Sequence, residues 1–260
     1  MDYIALAGSS CFLGRGIRFR RIVATALLAS ACSLAGLLLI PDENVRTLLS
    51  HFVLNTGMVL LCFGRGTKKE FLEKGYVDAS LRTIAAEAGT TTGSIYSRYG
   101  GKEGLFSAIV EPAAREFTEK FVSVQERFHA TDPDKQAEQL DDFAKQGMEM
   151  LVEYMYEHFE EFKLLVNCSY GTKFQNFVEH LVDIETEYTY KFMEATGLHF
   201  KGGKPVTKNF MHIMNKALFE SFFEVVRHDM SKEEAAEYVV MLEKYHSAGW
   251  DIIYKEGCES

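Results

Sequence analysis

Apolar residues recur at helical spacing from residue 80 to the end of the chain, and no alternating strand pattern competes with them. The pattern therefore predicts an all-α fold. After the first hundred residues we predict five helices: Lys102–His129, Pro133 to about Glu160, Thr172 to Gly197, Val206–Asp229, and Ser231 to about Tyr254. Pro112 lies inside the first of these and predicts a bend there, because proline removes one backbone hydrogen bond.

The stretch SLRTIAAEAGTTTGSIYSRY, residues 80–99, contains two shorter helices. An apolar stripe of Leu81, Ile84, Ala85 and Ala88 predicts a first helix that Ser80 caps and Gly89 ends. The small side chains at Ala85 and Gly89 permit a close approach of a second helix, Gly93–Tyr99. The stretch thus predicts two helices joined by a tight turn, a helix-turn-helix.

The second of these helices has a polar, hydroxyl-rich outer face if it buries Ile95 and Tyr99. Hydroxyl groups suit phosphate oxygens and base edges, and the major groove of B-DNA admits one α-helix. Any small helical hairpin with a polar surface would give the same local pattern, so this stretch alone leaves both interpretations open.

The flanking residues extend the pattern to EFLEKGYVDASLRTIAAEAGTTTGSIYSRYGGKEGLF, residues 70–106. From about Lys68 to Phe106 the sequence resembles the DNA-binding domain of the TetR family of transcriptional regulators. The resemblance rests on the combination of F-x-E-K-G-Y, I-A-x-x-A-G and G-x-I-Y-x-x-Y.

The resemblance implies a homodimeric, ligand-responsive regulator, a repressor in most members, that binds a double-stranded DNA operator. It implies a DNA-binding domain over 58–108 and a helical ligand-binding and dimerisation domain over 109–260. It also places eight side chains at the DNA: Ser80, Arg82, Thr91, Thr92, Ser94, Tyr96, Ser97 and Lys102.

The C-terminal region is rich in aromatic residues and methionines at helical spacing. Such stripes are most often plain core, but together they also suit a pocket for a small apolar or amphipathic effector. The predicted lining residues are Phe121, Met148, Tyr154, Met155, Phe159, Phe162, Phe174 and Phe177. The polar residues that could orient an effector are Asn167, Tyr170, Gln175 and His180.

The last two predicted helices, within residues 206–254, carry more apolar surface than one buried face requires. The excess predicts a homodimer through these helices, as in TetR-like proteins. The alternative is a thick monomer core.

The net charge of −9 is unevenly distributed. Residues 1–66 carry +3, residues 67–110 carry +1, and residues 111–260 carry −13, so DNA affinity must belong to the N-terminal part. Five cysteines occur singly, which favours a reducing, cytoplasmic location. No catalytic motif or cofactor fingerprint is present, so we predict neither an enzyme nor a bound cofactor.

Residues 1–57 lie outside the resemblance. Ile22–Ile40 is uncharged and long enough for a membrane span, and Leu48–Phe63 could return as a hairpin, giving a membrane-tethered regulator. The region could also be a cleaved or other leader, or a mis-assigned start, because Gly64 and Gly66 interrupt the place where the first helix of the fold belongs.

A helical metal-binding protein is the alternative from another class. Glu126-x-x-His129 and Glu243-x-x-His246 each put a carboxylate and an imidazole on one helix face, as in di-iron bundles. Two more carboxylates would be needed, for example from Glu153 and Glu187. No metal site is predicted, since such spacings arise by chance in an acidic region.

Overall fold

A computed structural model describes residues 67–197 and 206–255 of the 260-residue chain, and these residues form nine helices. The helices are α1 (67–78), α2 (Leu81–Glu87), α3 (Thr92–Tyr99), α4 (Lys102–His129), α5 (Pro133–Glu157), α6 (Phe159–Asn167), α7 (Phe177–Thr196), α8 (Lys208–Arg227) and α9 (Lys232–Lys255). The described residues contain no strand, and the predicted all-α fold is confirmed.

The two apolar segments Ile22–Ile40 and Leu48–Phe63 lie outside the described residues, as do residues 198–205, between α7 and α8. None of the helices in the described ranges combines the length and apolar character needed to cross a lipid bilayer.

Helices α1 to α3 and the first turns of α4 share a small apolar core. Phe71, Ile84, Ile95 and Phe106 are almost completely buried there. The rings of Phe71 and Phe106 meet edge to face, with centroids 5.1 Å apart, which is a favoured aromatic geometry. This core fixes α2 and α3 on the N-terminal end of α4.

Helices α4 to α9 form a larger bundle around a cluster of phenylalanines. Phe117 of α4 is fully buried, and its ring lies 5.0 Å from that of Phe162 and 5.9 Å from that of Phe223. The bundle is therefore centred on the middle of α4, one end of which also belongs to the small N-terminal core.

Several predicted helix boundaries are confirmed because local side-chain chemistry sets them. Helix α4 has the predicted limits and continues through Pro112. Gly197 adopts a left-handed conformation (φ 67°) and ends α7. At the start of α9 the Ser231 backbone N–H donates to the Glu234 carboxylate, and the Glu234 N–H donates to the Ser231 hydroxyl, which is a capping box.

Two other boundary predictions are wrong. The long helix after Pro133 ends at Glu157, and a separate helix, α6, follows a break at His158. The sequence around His158 contains no breaker; the break lets Phe162, Leu164 and Leu165 all reach the core.

The Thr172–Gln175 box does not open a helix, since α7 begins at Phe177. Its side chains instead stabilise the preceding turn, where the Thr172 hydroxyl donates to the Ser169 carbonyl and the Gly171 N–H donates to the Gln175 side chain.

A second connection between the two cores lies beside α4. The Tyr76 backbone N–H donates to the Cys168 carbonyl at 3.1 Å, and Lys68 forms ion pairs with Glu160 and Glu161. Helix α1 is thus attached to α6 and to the turn that follows it.

Candidate nucleic-acid interface and internal cavity

Hydrogen bonds from side chains hold the start of α2. The Ser80 hydroxyl accepts from the Thr83 N–H, as predicted for an N-cap. The Ser80 N–H in turn donates to the carboxylate of Glu70, a largely buried residue of α1, at 3.0 Å. At the other end, Gly89 has φ 63°, the conformation that glycine adopts most easily.

Helix α3 begins with a cap and presents one polar face. The Thr91 hydroxyl accepts from the Ser94 N–H at 3.1 Å, so the helix starts one residue earlier than predicted. Ile95 is buried, whereas Tyr96 is 60% exposed and extends from the opposite side. This exposed face is polar and rich in hydroxyl groups, which suits a groove of DNA.

Most of the side chains predicted to face DNA are exposed. Arg82, Thr91, Ser94, Tyr96 and Ser97 are exposed, and Ser80 and Thr92 are half-buried. They occupy α2, α3 and the residues that cap them.

Lys102, the eighth of these residues, already has partners within the chain. Its Nζ donates to the carbonyl oxygens of Val77 and Ala79, at 2.8 and 3.1 Å, and lies 4.9 Å from the centre of the Tyr76 ring. The ammonium group therefore holds the end of α1 against the start of α4. Two of the three donors of the ammonium group are thereby used within the chain.

A second feature of interest is a cavity of about 340 Å³ inside the C-terminal bundle. Side chains from five helices, α4, α5, α7, α8 and α9, form its wall. The aromatic residues in this wall are Phe121, Phe128, Phe143, Tyr188, Phe192, Phe219, Phe222 and Trp250. Its size and its apolar lining are typical of small-molecule sites.

Residues 65–109 match the sequence profile of the bacterial regulatory proteins of the tetR family. This part of the chain is a DNA-binding domain of the tetR family. The matched segment contains the whole helix-turn-helix and the first two turns of α4, which confirms the resemblance and the assignment of DNA binding. No curated protein sequence matches the chain significantly.

A solved structure of a TetR-like transcriptional regulator from the genus Rhodococcus shows the same fold. It superimposes with a TM-score of 0.51 at 18% identity, covering 74% of this chain and 95% of that one. NalD, the secondary repressor of the MexAB-OprM multidrug efflux pump in Pseudomonas aeruginosa, gives a TM-score of 0.47 at 18% identity, covering 74% and 96%. PfmR, a TetR-family regulator from Thermus thermophilus, gives 0.48 at 17% identity, covering 71% and 91%.

Only two of the eight residues predicted to line an effector pocket, Phe121 and Met148, line this regulator's cavity. Tyr154, Met155, Phe162 and Phe177 are buried in the core. Of the other two, Phe159 stacks on Tyr156 and Phe174 lies near Phe106. The polar candidates Asn167, Tyr170, Gln175 and His180 also lie outside the cavity wall.

The cavity wall contains a half-buried acid, Glu185, that sequence reasoning missed. The Glu185 carboxylate accepts from Gln125 Nε2 at 2.6 Å, and burial raises its pKa to about 7. Burial also lowers the pKa of the His129 and His246 imidazoles and raises that of the Glu243 carboxyl. Protonated histidines are therefore disfavoured in the wall, and carboxyl groups are its main ionisable groups.

The residues of the predicted metal alternative do not assemble into a site. Glu126 is exposed, Glu153 forms an ion pair with Lys232, and Glu187 forms one with Lys191. Within the ranges that the structure describes, the one group of three possible metal ligands is elsewhere, at Glu179, Asp183 and His212. Glu179 there already binds His212 and Lys216, with its pKa lowered chiefly by the Lys216 hydrogen bond.

Two further residues matter to the interface and carried no recognised signal. The Glu70 carboxylate joins α1 to α2, as described above. Gly104 lies so close to the end of α3 that an added Cβ would come within 1.7 Å of the Tyr99 carbonyl oxygen. Both depend on contacts between helices, whereas the sequence patterns report neighbours along one helix.

Proposed function

We propose that the protein is a homodimeric repressor that leaves its operator when a small apolar or amphipathic effector occupies the cavity. In this proposal residues 58–108 bind DNA, and residues 109–260 bind the effector and dimerise. One observation carries it: α4 belongs to both regions. Leu105 and Phe106 of α4 are buried in the small N-terminal core, and Phe121, Val124 and Phe128 of the same helix line the cavity.

The coupling follows from that shared helix. An effector between α4 and the helices opposite would displace the wall formed by Phe121 and Phe128. Bending of α4 at Pro112 would let this movement change the orientation of the N-terminal end of the helix. Because α3 is packed on that end, its position relative to the partner's α3 would change. Coupling of roughly 1–3 kcal/mol between two sites changes affinity by one to two orders of magnitude.

Dimerisation is supported by an exposed apolar stripe on α9. Met241, Tyr245 and Ile252 are 63%, 79% and 67% exposed in the single chain, and their spacing places them on one face of the helix. Ile213 of α8 is also exposed. A second copy of the chain, packed through α8 and α9, would remove these side chains from water.

Operator recognition by such a dimer would use α3 of each subunit. The two helices would enter successive major grooves, at half-sites about one turn (~34–36 Å) apart. Thr92, Ser94 and Tyr96 would contact bases and phosphates, and the acidic C-terminal region would face away from the duplex.

The single tryptophan of the chain, Trp250, lines the cavity and makes a direct test possible. Small molecules that co-purify with the protein from its native host would be identified and titrated while Trp250 fluorescence and operator affinity are followed. We expect one compound to change the fluorescence and to weaken operator binding by about 10- to 100-fold. Ala144→Phe, which fills the cavity from α5, should abolish both effects; a compound that changes fluorescence without changing operator affinity would contradict the proposal.

A further inference from the structure

The cavity wall has an unbalanced charge. Four carboxylic acids line it, Asp141, Glu185, Glu243 and Asp251, and no lysine or arginine among the described residues does so. The two histidines of the wall have lowered pKa values, so they are neutral near pH 7. A cavity with this composition repels anions and attracts cations.

Glu185 has no lysine, arginine or histidine partner within the residues that the structure describes. Its carboxylate accepts hydrogen bonds from the neutral side chains of Thr189 and Gln125, and desolvation is the main influence on its ionisation. Asp141 accepts from the Ser247 hydroxyl in the C-terminal half of α9. The pKa of Glu243 is raised chiefly by burial and by Asp141, and the positive charges of Lys244 and Lys145 partly offset this. A buried carboxylate without a cationic partner is costly, and a bound cation would remove that cost.

The rest of the wall suits a cation with an apolar body. The rings of Phe121 and Phe219 meet at 5.4 Å on one side, and Trp250 lies across the cavity on α9. Aromatic faces attract ammonium groups as well as hydrocarbon, especially away from water. A small hydrophilic cation would leave these rings uncovered, so the lining selects for a ligand that is both cationic and apolar.

We propose that the cavity binds a lipophilic cation, an aromatic or alkyl amine or a quaternary ammonium compound, with its charged group against Glu185 and its apolar body between the aromatic side chains of α4, α8 and α9. This inference rests on the proposed function in one respect, that the cavity is the effector site. It goes further by fixing the charge of the effector and the residue that recognises it.

Three probes with one ring system separate charge from shape. They are the cation trimethyl(1-naphthylmethyl)ammonium, its neutral carbon isostere 1-neopentylnaphthalene, and the anion 1-naphthylacetate. Each would be titrated into the full-length protein at pH 7.5, with affinity measured by calorimetry and by Trp250 fluorescence. We expect the cation to bind at least tenfold more tightly than the neutral isostere, and the anion to bind most weakly.

Two matched variants on α7 identify the residue responsible. Glu185→Gln keeps the shape and the hydrogen bond with Gln125 but removes the charge, so the preference for the cation should fall below threefold while the neutral probe binds as before. Glu187→Gln makes the same change on the exposed face of the helix and should bind all three probes like the wild type.

Failure of this inference is distinguishable from failure of the proposed function. Equal binding of cation and isostere, no binding of any probe, or an unchanged preference in Glu185→Gln would overturn the inference. If a co-purified neutral compound still released the operator, the proposed function would stand without it. Conversely, if the cation bound through Glu185 but left operator affinity unchanged, the inference would stand and the proposed response would fail.

Discussion

At the scale of single residues, the strongest effect of the fold on ionisation is at Glu185. The side chain lines the cavity and is half-buried, and desolvation raises the pKa of its carboxyl group to about 7. The folded chain therefore keeps a proton there, between about pH 4.5 and 7, that the unfolded chain has lost. Folding stability must fall as the pH rises through this range, because the unfolded state then binds fewer protons.

Glu185→Gln should remove this loss of stability. We expect the variant and the wild type to have similar free energies of unfolding at about pH 4.5. At about pH 8 the free energy of unfolding of the variant should be higher by on the order of 2 kcal/mol. One pKa unit corresponds to about 1.4 kcal/mol, and hydration of the cavity reduces the full effect. Urea unfolding at several pH values measures the difference. Glu187→Gln changes an exposed residue and is the control; it should leave the pH dependence of the unfolding free energy almost unchanged. If the pH dependence of Glu185→Gln ran parallel to that of the wild type, Glu185 would ionise normally.

Lys102 also belongs to this scale. Its ammonium group holds α1 against α4, and we predict that the same group contacts a DNA phosphate. We expect Lys102→Ala to weaken binding to all DNA sequences alike and to make the log–log salt dependence shallower by about one, since one phosphate contact is lost. Loss of its bonds to Val77 and Ala79 should also lower folding stability by about 1 kcal/mol.

Fluorescence anisotropy with labelled duplexes at several salt concentrations would measure the Lys102 effect. Lys135→Ala provides the control, because this exposed lysine follows the far end of α4, about 40 Å along a 28-residue helix. If Lys102→Ala and Lys135→Ala gave the same salt dependence, Lys102 would have no phosphate contact.

At the scale of helices, α4 is the element through which we propose that the two regions communicate. Pro112 lies between the part of α4 in the small core and the part in the cavity wall, and its missing N–H leaves the Ala108 carbonyl without the usual helical partner. A second route exists through the Tyr76–Cys168 hydrogen bond and the neighbouring Phe106 and Phe174 rings.

Pro112→Ala distinguishes these two routes. If a tilt of α4 is absorbed at Pro112, the variant should bind the effector with nearly unchanged affinity but show a several-fold smaller effect of the effector on operator affinity, because the helix is stiffer. Operator titrations with and without effector measure that ratio. An unchanged ratio would assign the coupling to the α1–α6 contact or to rotation of whole subunits.

How far the helices were predictable depended on which interactions define them. Ser80, Gly89, Gly197 and the Ser231–Glu234 pair act within one turn of chain, so their roles were evident from the sequence. The break at His158 was not evident from the sequence, because it depends on how α6 packs against other helices. For the same reason the aromatic residues of α5 and α6 fitted a core and a pocket equally well, and most of them proved to be core.

At the scale of the whole molecule, the exposed stripe on α9 predicts a dimer, and two tyrosines test it. Tyr245 of the stripe and Tyr170 of the turn before α7 are each 79% exposed in the single chain. Tyr245→Lys should shift the chain toward monomer by at least tenfold in dissociation constant, because it places a charge in an apolar interface. Tyr170→Lys should not.

Analytical ultracentrifugation over a range of concentrations would compare the tyrosine variants. Equal dimer dissociation constants for both variants and the wild type would contradict an interface through α9. DNA binding by the monomeric variant should weaken as well, since two half-sites can then no longer be occupied by one particle.

The tetR-type DNA-binding domain was predictable because it lies in one continuous segment, residues 65–109. The cavity was not predictable, because residues from five helices form its wall. Sequence patterns within one helix do not show how these helices are placed relative to one another. Glu185 illustrates this: on α7 it lies two residues from the exposed Glu187 in the same acidic stretch, and only the packing of α4 against α7 distinguishes them.

The most direct test of the central claim is selection of DNA by the full-length chain from a pool of random duplexes, followed by sequencing. The account predicts enrichment of an inverted repeat whose half-sites are centred about one helical turn apart, with Thr92→Ala changing the preferred bases within each half-site. Two results would contradict the assignment of α3 as the helix that reads DNA. One is the selection of no common sequence. The other is selection of the wild-type sequence both by Thr92→Ala and by a variant that lacks the exposed hydroxyl groups of α3.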